Sequence, residues 1–434
     1  MHESTQRLIC RAAFAVCCAL PTLLVFAWIF YRILPGAEES LSLQLSAAAG
    51  LEVEIASVAY PQPGRTLLTE VRLCDPESHR LLAKIRVVEA VWRDGELALL
   101  ASQPEIEPDG LPAIWRAVEE RLLRSEVQAP VKMVAAEATL QSRDERKAVT
   151  LRDLMLRLTA TPRGTELDAD FRLVGEEFPE SLRLAARRNR QVEPAVTEIE
   201  FHTAGNDVPV RLLAPWWPAV AGLGDRARLR GSVWSTLPAE GFDASAALRL
   251  REVELDRLIG ERFAHRLTGV AEIAIDAKWS QGRLTEANGE IQAGPGAIGR
   301  SLVKACVTHL GWKGADWIEK NPGDNLYYRQ LALRYQLDSK GLAIFGNCRE
   351  AGEGVIVTDS RGEILRHGSS AAAPLVSIVR AFVPASEVQV PATAETDSLL
   401  RWLPLPPAIR PKSEATATRP QVRVRLDEGA ELKR

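Results

Sequence analysis

Through most of this 434-residue chain apolar and polar side chains alternate, and a period of two is the period of a pleated strand with one buried face. Leu51, Val53 and Ile55 alternate with Glu52 and Glu54, and Val71/Leu73 and Ile85/Val87 continue the pattern, the latter against Lys84 and Arg86. Trp92-Arg93-Asp94-Gly95 then interrupts it before Leu97/Leu99, a hairpin in which glycine supplies the positive φ of a tight reversal. Leu154, Leu156 and Leu158 form a further strand, and Leu167, Ala169, Phe171 and Leu173 another after the Pro162-Arg163-Gly164 turn. Leu248/Leu250, Val253/Leu255 and Ile273, Ile275, Ala277 and Trp279 repeat the pattern. Near the end, Leu331 to Leu337 runs into Asp338-Ser339-Lys340-Gly341, and Val355/Val357 into Asp359-Ser360-Arg361-Gly362. Aspartate opening and glycine closing a reversal is turn chemistry. The expectation is a mainly β, α+β chain with a few helices and a long curved antiparallel sheet.

Helical spacing is confined to short stretches. Leu41, Leu45 and Ala48 precede Gly50, and Ile114, Trp115, Val118 and Leu122 share a face between Leu111 and Val127. The arginine-rich stretch Arg183 to Arg190 reads as a solvated loop or surface helix. Ala214-Pro215-Trp216-Trp217-Pro218 marks a boundary; its rings are expected to pack on a sheet, the rival reading being a lipid or headgroup contact. Beyond Arg410 the chain is polar and poor in aromatics, the composition of a disordered tail. The expected organisation is a cytoplasmic stub and anchor over 1–36, β-regions over 37–213 and 214–410, and a tail over 411–434.

Ahead of the strands, Ala12 to Tyr31 is uncharged and apolar. At ~1.5 Å per residue a helix of this length covers roughly the 30 Å of a bilayer core. Arg7 and Arg11 lie before it, Arg32, Glu38 and Glu39 after it, which puts the N-terminus in the cytoplasm and the bulk outside. Trp28, Phe30 and Tyr31 sit at the exit and Pro35-Gly36 ends the helix. A cleaved signal peptide is the rival, but its apolar core is shorter, and Leu34-Pro35-Gly36-Ala37 is a poor cleavage site.

A formal charge of -3 from intermixed arginine and glutamate provides no basic stripe, which argues against nucleic acid. Cys74, Cys306 and Cys348 have no framework spacing, so the sequence leaves their disulfide state open. Gly294-Pro295-Gly296-Ala297-Ile298-Gly299 matches a dinucleotide fingerprint between a strand and a helix over Arg300 to Leu310. No second βα unit follows it, and the bland reading is a glycine-rich turn. Ser301-Leu302-Val303-Lys304 has the Ser-x-x-Lys spacing without the companion elements of penicillin-recognising enzymes. Cys306 and His309 share a helix face, but two ligands do not make a metal site. No catalytic residue, metal or cofactor is assigned; an envelope hydrolase using unidentified residues is the enzymatic rival.

The anchor, the Leu-x-x-x-Leu helix ending at Gly50 and the strand Leu51-Glu52-Val53-Glu54-Ile55 resemble the opening of AsmA-like proteins. The stretch Leu68 to Val88 is similar to that family's next strands. Leu267-Thr268-Gly269, Gly282-Arg283-Leu284, Leu331 to Gly346 and the Asp359 to Leu365 hairpin resemble its C-terminal region. The resemblance implies a single-pass inner-membrane protein, its bulk periplasmic, whose β-groove holds phospholipid acyl chains and assists lipid transport or envelope assembly. Envelope proteins are further partners. The groove candidates are Ile273, Ile275, Leu331, Leu333 and Tyr335. The alternative is a membrane-tethered scaffold with a closed β-core and no lipid.

Overall fold

Asp94 and Gly95 both take positive φ (53° and 80°), the backbone of a two-residue type I′ turn, whose twist matches that of the strands it joins. Gln281 and Gly282 do the same (53° and 73°). The computed structural model describes residues 11–33, 37–125, 129–141, 148–175, 180–237, 241–259, 265–320, 323–339, 341–348, 351–368 and Ala381.

The first strands are β1 (Glu52–Gln62), β2 (Arg65–Cys74), β3 (Leu81–Arg93), β4 (Glu96–Ile106), β5 (Val131–Leu140) and β6 (Val149–Thr161). After them come β7 (Gly164–Leu173), β8 (Leu182–Asn189), β9 (Val196–His202), β10 (Val208–Pro209), β11 (Arg228–Leu237) and β12 (Asp243–Glu254). The chain continues through β13 (Leu267–Thr268), β14 (Val270–Ser280), β15 (Arg283–Ala293), β16 (Gly296–Gly299), β17 (Lys313–Gly314) and β18 (Asn325–Tyr328). It closes with β19 (Gln330–Asp338), β20 (Gly341–Gly346), β21 (Val355–Asp359) and β22 (Gly362–Arg366).

Among the described residues nineteen strands form one large, curved, mostly antiparallel sheet, and β13, β16 and β18 a small second one. Strands pair in chain order from β1 to β9. The ladder then continues through β11, β12, β14, β15 and β19. It ends on β20 and on β21 with β22 and β17. β4 and β5 run parallel, because the helical segment Leu111–Ala117 and Val118–Leu123 carries the chain back along the strands between them, as a parallel pair requires.

In four strands a left-handed residue breaks the alternation. Leu68 and Val71, Ala101 and Pro104, Leu151 and Leu154, and Leu250 and Val253 are pairs three apart with both members buried. Between them stand Glu70, Gln103, Asp153 and Glu252, each with φ from 50° to 53°. A left-handed residue in a strand re-aims the side chains beyond it and bends the strand. Val88, not Val87, is therefore buried with Ile85. Register shifts accompany the bends in β6 and β12.

Helix Ala37–Ala49 seals the first edge. Val53 N–H donates to Ser46 Oγ at 2.8 Å, Ser42 Oγ donates to the Val53 carbonyl, and Val58 N–H donates to Glu38 Oε1 at 3.3 Å. An edge strand otherwise exposes those groups as a template for pairing. Leu41, Leu45 and Ala49 face the core, with Ala48 exposed; the helix turns its Ala49 side inward to place both serines on β1. One core cluster lies under this helix, built on Val53, Leu68, Val71, Ala135, Leu151 and Leu182. A second large one lies beneath helix Arg300–Leu310, where Leu302, Val303 and Cys306 meet Ile273, Leu331, Ile356 and Leu365.

The stretch Arg183 to Arg190 is not a loop or helix: it holds strand β8. Leu182 and Ala186 are fully buried on its inner face, while Arg183 reaches Asp168 at 2.8 Å and Arg187 reaches Glu166 at 2.5 Å on the outer face. Neighbouring acidic strands offset what the arginine run withholds in local propensity. Trp216 and Trp217 are 48% and 54% exposed, so neither is buried against the sheet in the way the sequence leads us to expect.

Helical conformation over 11–33 includes a π-helical stretch, Ala15–Ala19, before the α-helix Leu20–Ile33. Among the described residues no helix is long and apolar enough to cross a membrane. Arg7, Pro35-Gly36, Val127 and the tail over 411–434 lie outside the described residues, as do the side chains of 28–33.

Candidate functional site

The ladder brings one apolar residue from each of twelve successive strands into a single row. Leu99 faces Met133, then come Leu156, Ala169, Leu184 and Phe201. The row continues through Val233, Ala246, Ala277, Ala287, Leu337 and Leu342. Its alanines are buried, and its eight larger members are all half-buried. Cross-strand apolar neighbours on one face form a continuous surface, and water reaches part of this one.

A parallel row, Leu248, Ile275, Gly289, Tyr335 and Ile344, separates it from the second core. The five groove candidates fall together here. Ile275 and Tyr335 flank Gly289, Ile273 and Leu333 flank Ile291, and Leu331 stands beside Ala293. Ile273 and Leu331 are buried in the core at 6% and 5% exposure, whereas Ile275, Leu333 and Tyr335 are half-buried at its border. Tyr335 lies over Gly289, where a Cβ would come within 2.5 Å of its hydroxyl. Burial pushes its phenol up to about 12.

The opposite face is charged and internally paired. Arg65 meets Glu89 at 2.6 Å, Lys84 meets Glu70 at 2.9 Å and Lys278 meets Glu286 at 3.3 Å. Each exposed pair contributes little to stability, but together they keep that face in water. An open pocket of about 530 Å³ lies near the ends of β12, β14 and β15. Among its walls Asp207 already takes Arg251 at 3.2 Å, along with Arg230 at 3.0 Å, so its charge is largely spent internally.

The motifs with chemical overtones take structural places. In the glycine fingerprint, Gly296 lies under Tyr328, whose hydroxyl donates to the Thr268 carbonyl at 2.7 Å, and Gly299 begins helix Arg300–Leu310. Ser301 Oγ lies 2.9 Å from His265 Nδ1, and Lys304 is exposed. Cys306 is 3% exposed and burial raises its thiol to about 12, which holds it protonated and unreactive at neutral pH. Cys74 and Cys348 are likewise buried free thiols. Among the described residues no three metal-ligating side chains converge.

The row itself escaped sequence reasoning; Ile275 and Tyr335, which sequence reasoning did single out, belong to the row beside it. The signal for the twelve-residue row was the alternation in β6, β7 and β14, but alternation assigns a face to each strand without naming its neighbours. No protein-family model, curated protein or solved structure matches the chain.

Proposed function

We propose that this chain is a membrane-anchored lipid-handling protein that holds phospholipid acyl chains along the Leu99-to-Leu342 row. The observation that carries the reading is the asymmetry of the sheet: twelve successive apolar positions on one face, and paired charges on the other. Half-buried Leu, Met and Phe side chains gain most of their remaining transfer free energy when a hydrocarbon covers them, at about 25 cal/mol per Å². The face binds by shape and apolarity, so no catalytic group is needed.

The anchor in this reading is Ala12 to Tyr31. Phe14, Val16, Leu23, Leu24 and Phe26 are each more than 60% exposed on that helical stretch, and a helix that is apolar all round belongs in a nonpolar medium. With the N-terminus cytoplasmic, the sheet stands beside the outer leaflet of the inner membrane, as the AsmA-like resemblance implies.

Native mass spectrometry of the full chain released from detergent tests the proposal. Co-purifying phospholipid at fixed stoichiometry is expected. A lipid-free chain whose half-buried row stays protected from apolar probes would overturn it in favour of the scaffold with a closed core, the reading that the buried Ala169, Ala246, Ala277 and Ala287 favour.

A further inference from the structure

The segment between β10 and β11 is pinned from within and apolar outside. Val210 and Val220 are buried at 1% and 4% in the second core. Between them, the Trp216 and Trp217 amides both donate to the Leu213 carbonyl, at 3.1 and 2.9 Å, and the Val220 amide donates to the Trp217 carbonyl at 3.1 Å. Pro215 and Pro218 bracket the turn and restrict its backbone further. Two tryptophans are thus held about half exposed by a hydrogen-bonded turn. The turn Leu255–Ile259 lies alongside, tied by Arg257 Nη1 to Asp225 at 3.4 Å, and adds Leu258, 43% exposed.

Two exposed cations flank the turn, Arg211 and Arg226; Arg230 is taken by Asp207 at 3.0 Å, and Asp225 and Glu254 are both paired with Arg257. Paired indoles with apolar bodies and N–H tips, flanked by cations, match the chemistry of the headgroup region of an anionic bilayer. We infer that the Trp216-Trp217 turn is a second membrane contact, which seats on an anionic lipid surface and fixes the orientation of the sheet to it. The inference rests on the membrane association proposed above and adds a surface outside the apolar row.

The test uses the full chain in proteoliposomes of brominated phosphatidylcholine with or without phosphatidylglycerol. The emission difference between the wild type and W216F/W217F isolates the pair from the other tryptophans. Bromolipid is expected to quench it when phosphatidylglycerol is present, and several-fold less in phosphatidylcholine alone or in R211E/R226E. Unquenched difference emission, quenching indifferent to lipid charge, or cross-linking of the turn to another protein without quenching would each overturn the inference. Both rings are exposed, so the double variant should fold, which circular dichroism checks. Phospholipid co-purifying with that variant reports on the apolar row separately.

Discussion

Tyr335 lies across Gly289, its cross-strand neighbour, and its hydroxyl donates to the Ala274 carbonyl at 3.4 Å. The glycine is there because a Cβ at that point would meet the Ala274 carbonyl oxygen at 2.0 Å and the tyrosine hydroxyl at 2.5 Å. Gly289→Val should therefore destabilise the fold by about 1–3 kcal/mol through overpacking. Tyr335→Phe keeps the ring, loses one long hydrogen bond and should cost no more than about 1 kcal/mol. Urea unfolding of the two variants separates these effects.

Tyr335 and Tyr328 share a pH signature. Burial raises both phenols from 10 to about 12, so the neutral form is favoured in the native state. Their contribution to stability is complete below pH 10 and is lost as pH rises from 10 through 12, because the unfolded chain releases those protons first. Ultraviolet titration should show two phenols ionising near pH 12 in the native protein and near 10 in denaturant. Ionisation of both near 10 without unfolding would contradict the packing.

Asp153 turns β6 at φ 52°, and its carboxylate lies 3.5 Å from Arg172 in an exposed pair. Glycine relieves the left-handed cost of ~1–2 kcal/mol but adds ~0.5–1 kcal/mol of chain entropy. On that balance Asp153→Gly should leave stability unchanged or raise it by up to about 1.5 kcal/mol. Asp153→Val has no such relief, and a β-branched residue suits a left-handed backbone less well than aspartate, so it should destabilise by about 1 kcal/mol. Chemical denaturation of the pair measures the difference.

Ser42 and Ser46 together hold both polar groups of Val53 on the outer edge of β1. Replacing both with alanine leaves an amide and a carbonyl without partners, at about 1–3 kcal/mol for each group kept from water. Hydrogen exchange at the Val53 amide should accelerate selectively. The freed edge should also increase self-association, which light scattering would register.

Within the apolar row, Val233 stands between Phe201 and Ala246 and is half-buried. Val233→Glu places a charge in the path of an acyl chain and should lower the bound phospholipid. Val233→Leu should retain it. Equal lipid in both variants by mass spectrometry would count against the row as the binding surface.

Much of the local structure was readable from side-chain order. The hairpins at Asp94-Gly95 and Gln281-Gly282 and the helix ended by Gly311 follow from turn and cap chemistry acting within a few residues. β8 was hidden because its arginines are acceptable in a strand only beside Glu166 and Asp168 of β7. The burial of Val88 in place of Val87 was hidden because Glu70 and Gln103, on the strands either side of β3, sit left-handed, and neither residue type announces that conformation.

By itself, then, the order of residues determined that the chain is mainly strand, where most reversals fall and which side of many strands is apolar, since these depend on the period of two and on turn residues close in sequence. Tertiary structure decided the rest. It set β4 and β5 parallel, carried β15 past an insertion to β19, aligned twelve apolar positions into one row and left Trp216 and Trp217 facing outward. Those outcomes depend on contacts between residues far apart in the chain, whose loop-closure cost and packing gain no local pattern encodes.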